Sequence, residues 1–375
     1  MEIIINKEDL LYAVNAVEKA VSTKNTLPSL AGIMITAEKD RLSFRATDLE
    51  LAIECVVNAQ VKEEGQTIAP GKKLSALARL LPDCPICLKF EKDVLQLSYD
   101  GSSVDIPCFS TEDFPLLPKN HGEIEGSMPV RAFKRLVRQV GIAAAPDELR
   151  PVFAGVYTEI NQADLVMVAT DTHRLAKGQG VWEGSGESKL LIPNRALQEV
   201  ARLAANDEDM IHISAGRNQV FFTFANLTFT TRLIVGQYPD YRQVIPGEDI
   251  FKGEIVIEKR RFTESLERAA LISRNTVSKS NTVRLSMEDG GIRVSAEVPD
   301  EGRIEEQLPA RCEGEYFVIS YNVKYLLDVL RILDTERVRL RLTGPNTPGI
   351  ILGEGVDEEE YLYLLLPLRT SSAAK

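Results

Sequence analysis

The chain has 375 residues, 44% of them apolar and 26% charged, a make-up that excludes disordered and collagen-like architectures. At roughly 150 residues per domain, that length calls for two or three domains. A net charge of −11 argues against a protein that sticks to nucleic acid over its whole surface.

Residues 1–126 read as a first unit. A β-rich start, Met1–Asn6, leads into helical spacing at Leu10, Leu11, Val14, Val17 and Val21. Short alternating segments follow at Leu30–Thr36, Leu42–Thr47 and Leu51–Val57, then a helix over 70–82. Strands at Ile86–Phe90, Val94–Tyr99 and Val104–Phe109 complete the unit, with Asp100-Gly101 as a turn signal and HGEIEGS (121–127) as a linker. Residues 127–250 repeat the plan: a helix over 130–145, three strands, a helix from Pro193, and strands near Met210, Val220 and Leu227. Residues 251–375 form a third, more diverged copy with helices over 258–274 and 321–333, ending in the polar tail Thr370–Lys375.

The repetition has a fixed period. TIAPGKKLSALARLL from Thr67 recurs 123 positions later within Leu190–Ala205, and again near Tyr316 as YFVISYNVKYLLDVLRIL. Pro28, Ala31 and Gly32 precede Pro151, Ala154 and Gly155 by the same offset, and Ala46-Thr47-Asp48 precedes Ala169-Thr170-Asp171. One offset linking three separated segments means duplication. Each copy reads as an α+β unit, two helices packed on antiparallel strands.

Charge is unevenly placed. The six predicted helices carry a net +10, so the remainder carries −21. Lys72/Arg79, Arg195/Arg202 and Lys324/Arg331 are each seven apart, hence on one face. In the helix over 130–145, Phe133, Leu136, Val137 and Val140 make an apolar stripe, and Arg131, Lys134, Arg135 and Arg138 a basic one. Arg261 and Arg268 continue the pattern in the third unit. A basic face shared by repeated units, without clustered base-reading side chains, suits phosphate contact that ignores sequence.

Enzyme and cofactor motifs are missing. There is no phosphate-binding GxxxxGK[ST] and no GxGxxG. Asp171 and His173 offer a hydrolase or nuclease reading as an alternative, but Asp171 follows a strand, as Asp48 does, and suits a turn. Cys84-Pro85-Ile86-Cys87 lacks the further ligands zinc needs, so neither metal nor cofactor is expected. An odd number of scattered cysteines, MEIIINKEDLL without a basic leader region, and apolar runs far too short for a bilayer lead to an expected cytoplasmic location and no membrane partner.

ATDTHRLA (169–176), YPDYRQVIP (238–246), NVKYLLDVL (322–330) and LLLPLR (364–369) together resemble the bacterial β sliding clamp family of DNA polymerase III, in order over essentially the whole chain. The resemblance implies three clamp-type domains at 1–126, 127–250 and 251–375. It implies a head-to-tail homodimer whose six domains close a ring around double-stranded DNA. It further implies a processivity factor without catalytic activity, placed by a clamp loader complex. Such a factor tethers the DNA polymerase III core and other clamp-binding replication and repair proteins. DNA contacts would fall on Lys24 and on the basic helix residues named above. A partner-peptide pocket would be made by Thr170, His173, Arg174, Leu175, Pro239, Val244, Asn322, Tyr325, Leu364, Leu365, Leu366, Pro367, Leu368 and Arg369. Dimer contacts would match Val104, Ile106, Leu271 and Ile272. Arg150 is followed by Pro151-Val152, where some members carry an aromatic pair.

Overall fold

The computed structural model describes residues 1–23, 27–118, 120, 122–146, 150–161, 163–273, 281–299 and 302–369; Lys24 and the tail from Thr370 lie outside them. Among the described residues there are six α-helices: α1 (Lys7–Val17), α2 (Gly71–Leu80), α3 (Val130–Gly141), α4 (Asn194–Leu203), α5 (Lys259–Ser273) and α6 (Val323–Ile332). None is long and apolar enough to cross a membrane. Among the described residues all strand pairings are antiparallel.

The duplication is close over much of the first two copies. Strands Gly32–Glu38, Arg41–Thr47, Leu51–Asn58 and Gly65–Pro70, followed by α2, have counterparts at Gly155–Asn161, Asp164–Thr170, Arg174–Val181 and Ser188–Pro193, followed by α4. The amphipathic pattern of α3 is realised as written: Phe133, Leu136, Val137 and Val140 are buried, while Arg131 and Arg138 are exposed. Asp100 and Gly101 both have positive φ, 46° and 74°, the two-residue hairpin geometry that matches strand twist. At α6 the Asn322 side chain accepts the Lys324 N–H at 3.0 Å, capping a free donor of the first turn.

The chain divides into two compact units. The first holds residues 1–133, 182–187 and 195–233. It contains a five-stranded sheet ending on Ser102–Pro107 and a nine-stranded sheet. The nine-stranded sheet joins the first two sequence repeats, because Leu51–Asn58 pairs with Leu227–Arg232. The second unit holds residues 134–181, 188–194 and 234 onward, and a twelve-stranded sheet. There Arg174–Val181 pairs with Tyr361–Leu365, joining the second repeat to the third.

One expectation is overturned. The segment read as a linker over 121–127 supplies the strand Ile124–Pro129, paired on both sides with Met210–Ala215 and Glu183–Ser185. Its glycine serves close packing: a Cβ on Gly126 would lie 2.3 Å from the Trp182 ring. The short strands Gln60–Glu63 and Glu183–Ser185 also have no sequence signal; both are exposed or half-exposed and lack an apolar pattern.

Candidate functional site

In the second unit, the turn between strands Asp164–Thr170 and Arg174–Val181 gathers most of the sequence-selected residues. Asp171 is the turn former expected: its Oδ1 accepts the His173 and Arg174 N–H groups at 2.9 and 3.0 Å. Thr170 Oγ1 donates to the Arg174 carbonyl at 2.7 Å and accepts the Thr172 N–H at 3.1 Å. Thr172 is thereby held at φ 78°, a conformation that costs energy for a β-branched residue.

Arg174 is the centre of the site and is only 9% exposed. Its Nε donates to Asp171 Oδ2 at 2.9 Å and its Nη1 to Asp328 at 2.6 Å, and its guanidinium lies 4.1 Å over the Tyr325 ring. Tyr363 donates in turn to the Tyr325 carbonyl at 3.0 Å. Burial works against the charge on Arg174, but the Tyr363 hydroxyl and the carboxylates of Asp328 and Asp171 outweigh it, so its pKa is raised and the group stays cationic. Both oxygens of Asp171 are thus engaged, one by the turn and one by Arg174.

The strand pairing brings in the C-terminal segment. Arg174 and Leu175 face Leu365 and Leu364, the Leu366 N–H donates to the His173 carbonyl at 3.0 Å, and the Leu368 N–H to the Ser320 carbonyl at 2.7 Å. The predicted pocket residues therefore fall into two layers. Leu175, Leu364 and Leu365 are buried, and the first two belong to an apolar cluster with Val166, Val168, Tyr241 and Ile350. Leu364 and Leu365 are consecutive and so face opposite sides of the sheet, and both sides are covered there. His173, Pro239, Val244, Leu366 and Arg369 are exposed, and Thr170, Asn322, Tyr325, Pro367 and Leu368 are half-buried. These ten are the accessible members of the set.

A cavity of about 450 Å³ lies at Pro239, bounded by Arg150–Phe153 and Gln237–Asp240. Its wall is braced from behind by residues that carry no motif in the sequence. Tyr157 stacks on Tyr238 with centroids 4.9 Å apart. Glu159, 4% exposed, accepts from Tyr241 at 2.9 Å, Arg242 at 2.5 Å and Tyr157 at 3.2 Å. A buried carboxylate with three donors pins the 239–244 turn to its strand. The available signal is a glutamate inside an otherwise apolar strand pattern, GVYTEIN.

The basic helix residues are exposed or half-exposed where described, but most are not free. Arg79 pairs with Glu18, Arg131 with Glu208, Arg135 with Glu360 and Arg138 with Asp334, at 2.5–2.9 Å. Arg202 pairs with Glu199, Arg261 with Glu258, Arg268 with Glu306 and, more loosely, Arg331 with Glu267. Lys72, Arg195 and Lys324 are exposed, and Lys134 is half-buried with a partner of its own. Glu208, Glu360, Asp334 and Glu306 lie outside the predicted helices, so these pairs offset part of the helical charge excess. Exposed pairs of this kind contribute only about 0–1 kcal/mol, so a phosphate can displace the carboxylate.

Of the expected dimer residues, Ile106 is fully buried and Val104 half-buried, so the end strand Ser102–Pro107 offers chiefly its unpaired backbone. In the second unit, Gly302–Pro309 pairs with Gly291–Val298, and only the 310–314 part of the same long strand pairs with Gly253–Ile257. One side of 302–308 is therefore an open edge among the described residues. Ile272 adjoins it, since a Cβ on Gly302 would meet its side chain at 3.7 Å, and the preceding residue, Leu271, is 75% exposed. All five cysteines are free, and burial pushes the Cys55 thiol up to about 12, leaving it unreactive. No cluster of metal-binding side chains occurs among the described residues.

Three family signatures match in succession: the DNA polymerase III beta subunit N-terminal domain over residues 1–118, the central domain over 127–240 and the C-terminal domain over 242–369. The beta sliding clamp of Halalkalibacterium halodurans is 30% identical over 99% of this chain and 100% of its own length. The crystal structure of the Bacillus subtilis DNA polymerase sliding clamp superposes with a TM-score of 0.93 at 28% identity, over 99% of each chain. That of Pseudomonas aeruginosa, bound to griselimycin, gives 0.92 at 28%, over 99% of this chain and all of that one. With every repeat matched in order, the chain belongs to the DNA polymerase III beta subunit, or β sliding clamp, family.

Proposed function

We propose that this chain is a processivity factor: two copies close head to tail into a ring of six domains around duplex DNA and tether the polymerase through the groove at Arg174. The observation that carries this reading is the unbroken run of three family domains over 1–369. The domain divisions of this reading fall at 126, between the first two matched segments, and at 250, eight residues past the start of the third match at 242. Double-stranded DNA is held by topology, and the phosphate contacts come from α2–α6. Lys72, Arg79, Lys134, Arg195, Arg202, Arg261, Arg268, Lys324 and Arg331 supply them together with Arg131, Arg135 and Arg138. Exchangeable ion pairs suit sliding, because each phosphate contact replaces a carboxylate contact of similar worth.

The groove takes an extended segment of the partner. Val244 and Leu366 are 51% and 37% exposed and offer apolar area, and His173 and Arg369 offer donors at the rim. The partners are the polymerase III core, the clamp loader complex and other clamp-binding replication and repair proteins, all cytoplasmic. The chain positions them and carries out no reaction itself.

The dimer forms by pairing the Ser102–Pro107 edge of one protomer with the 302–308 edge of its partner, with Leu271 and Ile272 sealing the joint. Sedimentation at micromolar concentration is expected to give a dimer, and Leu271→Asp with Ile272→Asp a monomer that remains folded. A wild-type monomer under those conditions contradicts the ring.

A further inference from the structure

The turn at Thr47–Leu51 in the first unit reproduces the groove turn atom for atom. Thr47 Oγ1 donates to the Leu51 carbonyl at 2.8 Å and accepts the Leu49 N–H at 3.0 Å. Asp48 Oδ1 accepts the N–H groups of Glu50 and Leu51 at 3.0 and 2.9 Å. Leu49 has φ 78°, the value found at Thr172. The neighbouring strand is equivalent as well: the Arg232 N–H donates to the Glu50 carbonyl at 2.9 Å, as Leu366 does to His173 at 3.0 Å. The backbone framework of the groove therefore exists twice, once in each unit.

The side chains on the first copy differ in a way that defines a ligand. A cavity of about 220 Å³ opens beside the turn, bounded in part by Leu49, Leu116, Thr230 and Arg232. Leu116 is 99% and Leu49 45% exposed, large apolar side chains left in solvent at one spot. Arg232 stands where Leu366 stands in the second copy, is exposed, and forms no ion pair among the described residues. Glu50, in the place of His173, lines the same cavity, and its backbone carbonyl is the one that accepts the Arg232 N–H. Leu51 replaces Arg174, so this copy lacks the buried arginine and its two carboxylate partners.

We propose that the cavity at Leu49, Leu116 and Arg232 is a second peptide-docking site. It takes a short extended segment that places a leucine-class side chain against the two leucines and a carboxylate on Arg232. The proposal rests on the reading that the Arg174 groove binds peptides. Without the rigid network around Arg174 the site is less preorganised and binds at least tenfold more weakly than the first.

The test uses the full chain and a Leu-Asp-Leu-Asp-Leu peptide bearing a photo-cross-linker, with adducts mapped by mass spectrometry. Adducts are expected both at 47–52 or 115–118 and at 170–175 or 364–369. Arg232→Glu with Leu116→Asp should reduce the first set at least tenfold and leave the second unchanged, with an unchanged melting temperature. Arg232→Leu should keep binding of the peptide but abolish its preference over the Leu-Asn-Leu-Asn-Leu version. Adducts confined to 170–175 and 364–369, or first-set adducts indifferent to these substitutions, overturn the second site and leave the first groove standing. Absence of adducts at both overturns the peptide-binding reading itself.

Discussion

Arg174→Ala is expected to destabilise the protein by about 2–4 kcal/mol and to abolish partner binding at the groove. The side chain is 9% exposed and its partner Asp171 is 8% exposed, so the substitution leaves a carboxylate buried without its counter-charge. Breaking a buried ion pair on one side costs about 3–5 kcal/mol. Asp328 is 34% exposed and recovers part of its solvation, which lowers the total. Arg174→Lys does not rescue, because an ammonium cannot span Asp171 and Asp328 while lying flat on Tyr325. In thermal unfolding, 2–4 kcal/mol corresponds to a drop of roughly 3–5 °C for a chain of this size unfolding as one unit. An unchanged melting temperature would show that the network is not structural; unchanged peptide affinity would remove it from the groove. His173→Ala provides the contrast, since that side chain is exposed: affinity for the partner peptide should fall while the melting temperature stays within about 1 °C.

Reversing Arg131, Arg135 and Arg138 together to glutamate is expected to weaken DNA retention strongly with dimerisation intact. These side chains project from α3 opposite its buried Phe133, Leu136 and Val140. Removing three phosphate-binding cations makes the slope of log K against log salt for duplex DNA shallower by about 3. The substitutions also set like charges against Glu208, Glu360 and Asp334, but each exposed pair contributes at most about 1 kcal/mol to stability. A variant that fails to dimerise would make α3 an interface helix, and one with an unaltered salt slope would place DNA elsewhere.

The repeat is the most legible feature of the sequence, because duplicated segments keep both spacing and backbone geometry: even the left-handed φ at Leu49 and Thr172 is preserved. The amphipathic helices follow from apolar spacing, and Asp171 from its place after a strand. What spacing does not show is depth. Leu364, Leu365 and Leu366 are one apolar run, yet two are core and the third is surface, because the groove lies on the rim of a sheet joined by another repeat. Nor does it show which carboxylate neutralises which arginine. Arg135 and Glu360 are 225 residues apart and meet through a sheet register that local patterns do not encode. The linker reading fails because glycine beside glutamate resembles a flexible turn, whereas Gly126 is required by the Trp182 ring. Glu159 escapes notice because one polar residue in an apolar strand carries no spacing signal, although it braces the groove wall.

Retention on circular against linear DNA tests the ring most directly. Protein loaded by its clamp loader onto nicked circular duplex should remain bound through gel filtration in high salt and be released when a single cut linearises the circle. Equal retention before and after the cut, or loss from the intact circle, would mean that contact and not topology holds the protein on DNA, and would contradict the ring.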